Sequence, residues 1–544
     1  MSLQSTTIPG NSENSVFDNI ESFVTPEKFG AVGDGVVDDS SAFTSACATG
    51  KNIICNSQGK YLLNSQVVFP IGKTKQIIDG NGCVIIWNGG NEQPFNQRGE
   101  GNALIGYTKY KSYQNMKIMG PVKTTSRFSS FSNCHAINFS DGYVRNIKFD
   151  GWTNCLRAFG NTMSTEIIAD NVRNAIWSER NNNNHISNVK GGWIAGDVLV
   201  FYSQFSSAHN INVEYAGIIP ENSEETGGPR SGWGCLVSTG QDGYADETKY
   251  INISDVICKY HGGGGIIIGG EFINVQGVIN VGDAYQPSFA NRQWAVWVSG
   301  TDNNIGDIHI GQTQGACLVQ SGSTRCSIGR VFVSKPLVGI RPFILSAYDD
   351  AGAGTKIAEC RIEGIFMEGH LTTDNAIVLS TDGLLIGEIF IRSNGNQGSL
   401  RTLLIRGGAN VGVFRSYNIS MSAGTANVVE LQSKDDRHPI IGVTEVHGHF
   451  GVCIYITSGC IPLLGDIRLR MVRNGGLSPI VIENDGSGNF FFGNVTINGA
   501  LGAPPKMNGT LSCAGFYSPA EWRKKDPALP GIVRYPDLIA HTLT

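Results

Sequence analysis

Ile386-Gly387-Glu388-Ile389-Phe390-Ile391 sets the reading of this chain: an apolar residue, a small one, then alternating apolar residues. The same apolar–small phrase stands at Ile305-Gly306, Ile328-Gly329, Ile357-Ala358, Val411-Gly412, Ile441-Gly442, Leu464-Gly465 and Phe492-Gly493, at intervals of 23 to 30 residues. Most copies follow an apolar run that ends several residues upstream, such as Ala295-Val296-Trp297-Val298 or Cys453-Ile454-Tyr455-Ile456. Turn chemistry lies between run and phrase, as in Ser380-Thr381-Asp382-Gly383. The unit reads strand, turn, strand, then a looser connection. A unit this short cannot bury its own apolar face, so copies must stack. The pattern predicts an all-β chain folded as a parallel β-helix, a β-solenoid. The general handedness of parallel crossovers makes it right-handed. Weaker copies at Val144-Arg145, Ile167-Ile168, Ile186-Ser187, Ile211-Asn212, Ile251-Asn252 and Phe272-Ile273 extend the repeat towards the N-terminus.

Composition agrees with that reading. Among 544 residues there are 70 glycines without a collagen period, which means turns. The net charge of −5 argues against a nucleic-acid binder, whose footprint would be basic. No apolar run approaches the length of a membrane span. The 13 cysteines contain no Cys-x-x-Cys pair, and several stand where side chains should point inward, as in Ala316-Cys317-Leu318-Val319. Buried reduced thiols, assembled in a reducing cytosol, are the expectation. Met1 to Asn14 is polar and lacks the apolar stretch of a signal peptide, so exit by host lysis is expected rather than secretion.

In chain order, 1–24 reads as a flexible tether, 25–102 as a cap with irregular first rungs, 103–500 as the regular β-helix and 501–544 as a terminal segment for capping or subunit contact. The cap opens with Phe29-Gly30-Ala31-Val32-Gly33-Asp34-Gly35-Val36-Val37-Asp38-Asp39-Ser40-Ser41-Ala42-Phe43. Asp34-Gly35 is a tight-turn signal, and Asp38 and Asp39 are good N-cap residues for a short helix carrying Ala42, Phe43 and Ala46. This stretch resembles the opening motif of pectate-lyase-like right-handed β-helices, above all bacteriophage tailspikes that act as capsular polysaccharide depolymerases. It departs from the usual pattern in carrying Ser40 where threonine is common.

The resemblance implies a short N-terminal capping helix, a homotrimer, and binding and cleavage of a bacterial capsular or O-antigen polysaccharide. It implies a protein of the virion tail that is made in the host cytoplasm and acts outside the bacterium. It implies no cofactor, nucleic acid or membrane as partner. Because about 24 residues precede the motif, the particle-binding domain of many members is not expected, and the polar lead is expected to dock onto another phage tail protein. The chain lacks the Asn-Thr-Asp, Asp-Asp and Gly-His-Gly set of polygalacturonases in β-helix register, and the Arg-x-Pro-x-x-Arg pattern of calcium pectate lyases.

The repeat rhythm fails between Ile211 and Ile251 and between Phe272 and Ile305, where extra residues carry carboxylates, tyrosines and arginines. In a solenoid such insertions become loops on one face, which is often the binding face. Glycosidic hydrolysis needs two carboxyl groups, about 5 Å apart for retention or 6.5–9.5 Å for inversion. Adjacent rungs bring distant residues side by side, so sequence spacing does not identify the pair. By context the catalytic candidates are Asp283, Asp246, Asp242, Glu214 and Glu271. Each has a plainer reading as a solvated loop carboxylate or a turn acceptor. Tyr244, Tyr285, Trp233, Trp294, Arg230 and Arg292 are the substrate-binding candidates, with core or interface packing as the alternative for Trp294. No metal site is expected: His447-Gly448-His449 is the one close histidine pair and lacks a third ligand. Two alternatives remain open: a lyase using Arg230 or Arg292 with Tyr244 or Tyr285 on a uronic-acid polymer, or a non-catalytic receptor-binding fibre.

Overall fold

The computed structural model describes residues 22–70, 74–90, 93–97, 108–121, 135–217, 236–240, 247–262, 265–284, 294–313, 317–319, 322–336, 344–346, 357–369, 375–380, 383–392, 401–417, 427–433, 438–449, 452–471, 480–483, 489–498, 506–507, 510–517 and 532–534. It forms two compact units, one of residues 1–192 and 220–226, the other of 193–219 and 227–544. No helix among the described residues is long and apolar enough to cross a membrane.

The first unit begins with the expected helix, Ser40–Ala48. Its Phe43, Ala46 and Cys47 are fully buried, and Phe43 meets Tyr61 edge to face at 5.0 Å. Asp39 stands at the N-cap but makes no cap bond. It turns back instead and accepts the N–H groups of Val32 (2.7 Å) and Gly33 (3.3 Å), which fixes the loop before the helix. Asp38 accepts the Ser40 N–H at 3.0 Å, and Asp34 accepts those of Val36 and Val37. All three aspartates thus hold local backbone.

Two parallel sheets follow. In one, Lys111–Met119, Tyr143–Asp150, Thr162–Asp170 and Asn184–Ile194 pair in sequence; in the other, Thr108–Lys109, His135–Ser140, Asn154–Phe159 and Asn174–Asn182. Each long strand bends once, at Asn115, Asn146, Glu166 and Asn188, all with φ between 50° and 56°. Asparagine tolerates this left-handed geometry better than most residues, and Asn146 donates to the Asn115 side chain of the neighbouring rung at 2.9 Å. Strand 111–119 pairs with 76–79 and 84–87.

The second unit repeats this plan. One sheet stacks the short strands Ile266–Ile268, Val296–Val298, Cys317–Val319, Ile344–Ser346, Asn375–Ser380, Arg401–Arg406, Asn427–Gln432 and Val452–Ile456. One register column runs Val296, Cys317, Ile344, Ile377, Leu403, Val429 and Ile454. Of these, Val296, Cys317, Ile377, Leu403, Val429 and Ile454 are at most 1% exposed. Burying each such side chain stabilises by about 1.5–3 kcal/mol. Ten cysteines among the described residues are buried and in no disulfide, Cys317 among them.

The other sheet carries the phrase. Ile305, Ile328, Ile362, Ile386, Val411, Ile441, Leu464 and Phe492 lie in one register column. The sequence reading placed the third copy at Ile357-Ala358; the register gives Ile362-Glu363, and Ala358 pairs with Thr324 in a separate bridge. At Ile362 the position after the apolar residue is Glu363, not a small residue, so the phrase is absent from this rung and only pairing locates it. Likewise Ile211 pairs with Val256, not with Ile251, where the next copy is read from sequence. The repeat also continues past 500: Thr510–Tyr517 pairs with Asn489–Asn498, and Ile532–Arg534 pairs with Thr510–Tyr517.

The small residue of the phrase has a steric cause. A Cβ on Gly412 would lie 2.5 Å from the Gly387 carbonyl oxygen, one on Gly442 2.6 Å from that of Gly412, and one on Gly465 1.8 Å from that of Gly442. Successive rungs touch backbone to backbone here. The first copy differs: a Cβ on Gly306 meets nothing closer than 3.5 Å. Gly465→Ala is therefore expected to destabilise by about 1–3 kcal/mol, as overpacking does, while Gly306→Ala leaves the thermal midpoint nearly unchanged. Calorimetry of the two variants checks this, and equal melting of both would refute the steric account.

Candidate functional site

Of the residues singled out from sequence, Asp242, Asp246, Tyr244, Tyr285, Trp233, Arg230 and Arg292 lie outside the described residues. The structure places Asp283, Glu214, Glu271 and Trp294, all in the second unit.

Glu214 and Asp283 stand two rungs apart, on either side of strand Asn252–His261. Tyr215, Tyr260 and Asp283 share a register column on strands Ser207–Ala216, Asn252–His261 and Asn274–Ala284. Trp193 stacks on Tyr215 at 4.1 Å and Tyr215 on Tyr260 at 5.2 Å, so the rings lead rung by rung towards Asp283. Beside them Lys259 bonds Glu214 at 3.2 Å and lies 5.1 Å from the Tyr260 ring centre. The hydrogen bond that Lys259 donates to Glu214, then the field of Tyr260, raises the Lys259 pKa.

Asp283 is half-buried and accepts the Gln312 N–H of the next rung at 2.8 Å. Asp255, Asp307 and Asp466 do the same for the N–H groups of Val278, Arg330 and Asn494, at 3.1, 2.8 and 3.1 Å. One Asp283 oxygen is thus part of a recurring scaffold device. Glu271 pairs with Lys249 at 2.9 Å on a turn whose neighbours Phe205, Tyr250 and Phe272 form an exposed parallel stack. Trp294 is 4% exposed and packs in an apolar cluster with Val378, Leu404 and the half-buried Trp297. This is the packing alternative kept open for Trp294 beside substrate contact.

The structure also brings together a group that sequence spacing did not suggest. His309, Phe332, Phe366, Phe390, Tyr417 and His447 form a ladder of rings over six successive rungs, with centroids 4.7 to 6.3 Å apart. None of the six is buried. At its end Arg415 bonds Glu388 on the preceding rung and Glu445 (3.2 Å) on the following one. His447 Nε2 lies 2.8 Å from the other Glu445 oxygen. The only available signal was the separation, 27 and 30 residues from Arg415 to its two partners, which equals the rung length.

Burial pushes the Glu445 carboxyl up, but the hydrogen bond and charge of His447, and then those of Arg415, outweigh it and hold it below the ordinary range. Burial, and next the charge of Glu445, raise the Tyr417 hydroxyl. Among the described residues no three histidine, cysteine or carboxylate side chains converge as metal ligands. A depressed carboxyl contributes stability that is complete above the unfolded value, about 4.3, and is lost as pH falls through the folded one. The melting difference between wild type and Glu445→Gln should therefore be largest near neutral pH and shrink below about pH 4. A pH-independent difference in thermal scans would contradict this.

No protein-family model matches the chain, and no curated protein matches it by sequence. Similar solved structures include the A-module of Azotobacter vinelandii mannuronan C-5 epimerase AlgE6, at 13% identity over 72% of this chain and 98% of that one, with TM-score 0.40. The ORF18 protein of Geobacillus virus E2 shows 12% identity over 66% of this chain and 62% of its own length, with TM-score 0.35. The tailspike of E. coli bacteriophage HK620, solved with a pentasaccharide, shows 11% identity over 94% and 84%, with TM-score 0.35.

Proposed function

We propose that this chain is a depolymerase of the phage-tailspike type, which binds a bacterial capsular or O-antigen polysaccharide and cleaves it by glycosidic hydrolysis. The observation that carries the reading is the solvent-facing patch of Trp193, Tyr215 and Tyr260 in line with Asp283 and flanked by the Glu214–Lys259 pair. Sugar rings offer apolar faces and hydroxyl edges, which stacked aromatic rings and charged hydrogen-bonding groups complement. In sequence, the two breaks in the rhythm that carry Asp242, Asp246, Tyr244, Tyr285, Arg230 and Arg292 follow the strands that bear Tyr215 and Asp283. Asp283 with Asp242 or Asp246 is the proposed carboxyl pair, one protonating the leaving oxygen and one activating water or attacking. A homotrimeric assembly, attachment to the virion through residues 1–24 and action at the outside of the cell belong to the same proposal.

Incubation with capsule from a susceptible strain should shorten the polymer and release oligosaccharides whose masses are whole multiples of the repeat plus one water. Products lacking that water and absorbing in the ultraviolet would establish a lyase instead. Binding without any fall in polymer length would establish a receptor-binding fibre. Asp283→Asn, Asp242→Asn and Asp246→Asn, tested singly, should lower kcat by about 10²-fold or more in at least two cases, as loss of a general acid or base does. Full cleavage by all three variants would overturn the carboxyl assignment.

A further inference from the structure

The ring ladder raises a separate question, because nothing in the scaffold requires aromatic side chains on a solvent face. His309 stands on the rung after Asn280, three residues before Asp283 on the same strand. The ladder therefore begins one rung beyond the patch described above and leads away from it. With strands about 4.8 Å apart, its five steps span about 24 Å.

The ring geometry changes along this length. His309 and Phe332 are nearly parallel, at 9°, and Phe332 and Phe366 nearly so, at 18°. Phe366 and Phe390 are splayed, 6.3 Å apart and tilted by 33°, and Phe390 and Tyr417 by 38°. A parallel stack satisfies its own faces, whereas a splayed one leaves part of each face open. The rims that do point outward carry the positive edge of the ring quadrupole, which attracts oxygen. The surface thus offers apolar faces and oxygen-seeking rims at rung intervals.

The charges beside it narrow the class of ligand. Arg330 lies 5.6 Å from the Phe332 ring centre and Arg392 5.7 Å from that of Phe390. Arg330 is held by both a main-chain and a side-chain bond to Asp307, Arg392 pairs with Glu368 at 3.3 Å, and Arg415 is held by two carboxylates. Each of these three guanidinium groups already faces a carboxylate of the chain itself, which offsets the positive charge that would draw a sugar carboxylate to the ladder. Arg470, one rung past His447, lies beyond the ladder.

We propose that the ladder from His309 to His447 is an extended binding track for an uncharged glycan chain, which holds the polymer beyond the point of cleavage. The assignment rests on the carbohydrate reading above but concerns residues outside its carboxyl pair. A track of this kind makes affinity depend on substrate length: short fragments occupy only the cleavage patch, while long chains gain the ladder as well.

The test is the full chain carrying Phe366→Ser and Phe390→Ser together. On capsular polymer, KM should rise about tenfold with kcat unchanged, while kcat/KM on fragments of one repeat stays at the wild-type value. Equal changes on both lengths, or none on either, would overturn the track. So would a shift from trimer to monomer in light scattering with unchanged polymer affinity, which would make the face a contact between copies. If the double variant fails to fold, hydrogen–deuterium exchange of wild-type strands 384–392 and 410–417 decides: protection by polymer but not by one-repeat fragments is expected, and no protection refutes it. Neutral dextran at high concentration should compete more strongly than polygalacturonate; the reverse order would refute the charge argument. If wild type never shortens the polymer, the depolymerase reading falls, and equilibrium binding of intact polymer to wild type and double variant still tests the track.

Discussion

Backbone contact between successive rungs is the constraint on which the second unit depends. In-register parallel pairing sets strands about 4.8 Å apart. At the Gly387, Gly412, Gly442 and Gly465 column the chains come closer than a Cβ allows. The bend at this column turns the strand so that Ile386 and Ile389, or Val411 and Phe414, both point inward although three positions apart. Two outward positions then follow one another at each bend. The second of these, at Glu388 and at the capping aspartates Asp307 and Asp466, is where charged chemistry collects. The core and the surface chemistry are therefore two results of the same packing requirement.

The same register explains the ladder and the charge cluster. A side chain in this fold has neighbours one rung before and after it, and it meets them at van der Waals distance only if all three point outward. Arg415 uses both neighbours, with Glu388 behind and Glu445 ahead. Exposed ion pairs contribute little singly. Here one guanidinium fixes two carboxylates, and one of those also holds His447, so the group gains order that separate pairs lack.

The fold was legible because glycine and apolar residues repeat for a local reason that composition preserves. The capping helix was legible for the same reason, through Asp39, Phe43 and Ala46. Register was not legible: Ile357-Ala358 fits the phrase, whereas the paired position is Ile362, followed by Glu363, and only pairing reveals it. The end of the repeat was missed because Pro504 and Pro505 suggest a break, although the strands resume on either side. Trp294 stood beside a long insertion, which signalled binding, and yet it packs inward; no local pattern distinguishes the two for a tryptophan. Arg415, Glu445 and His447 were invisible because their association spans about one rung of sequence, and any two polar residues at that separation look alike.

The aspartates that accept the next rung's N–H also bear on how the chain avoids sticking to itself. Asp255, Asp283, Asp307 and Asp466 all reach forward, from an earlier strand to a later one. A solenoid emerging from the ribosome always ends in an unpaired strand, which is the surface most prone to pair with another molecule. At each of these stages that edge already carries a carboxylate poised over the place its successor will occupy. An incoming foreign strand must bury that charge unless it supplies an amide in the right register, whereas the chain's own next rung does so automatically. The device that joins finished rungs is thus also a guard on the unfinished end.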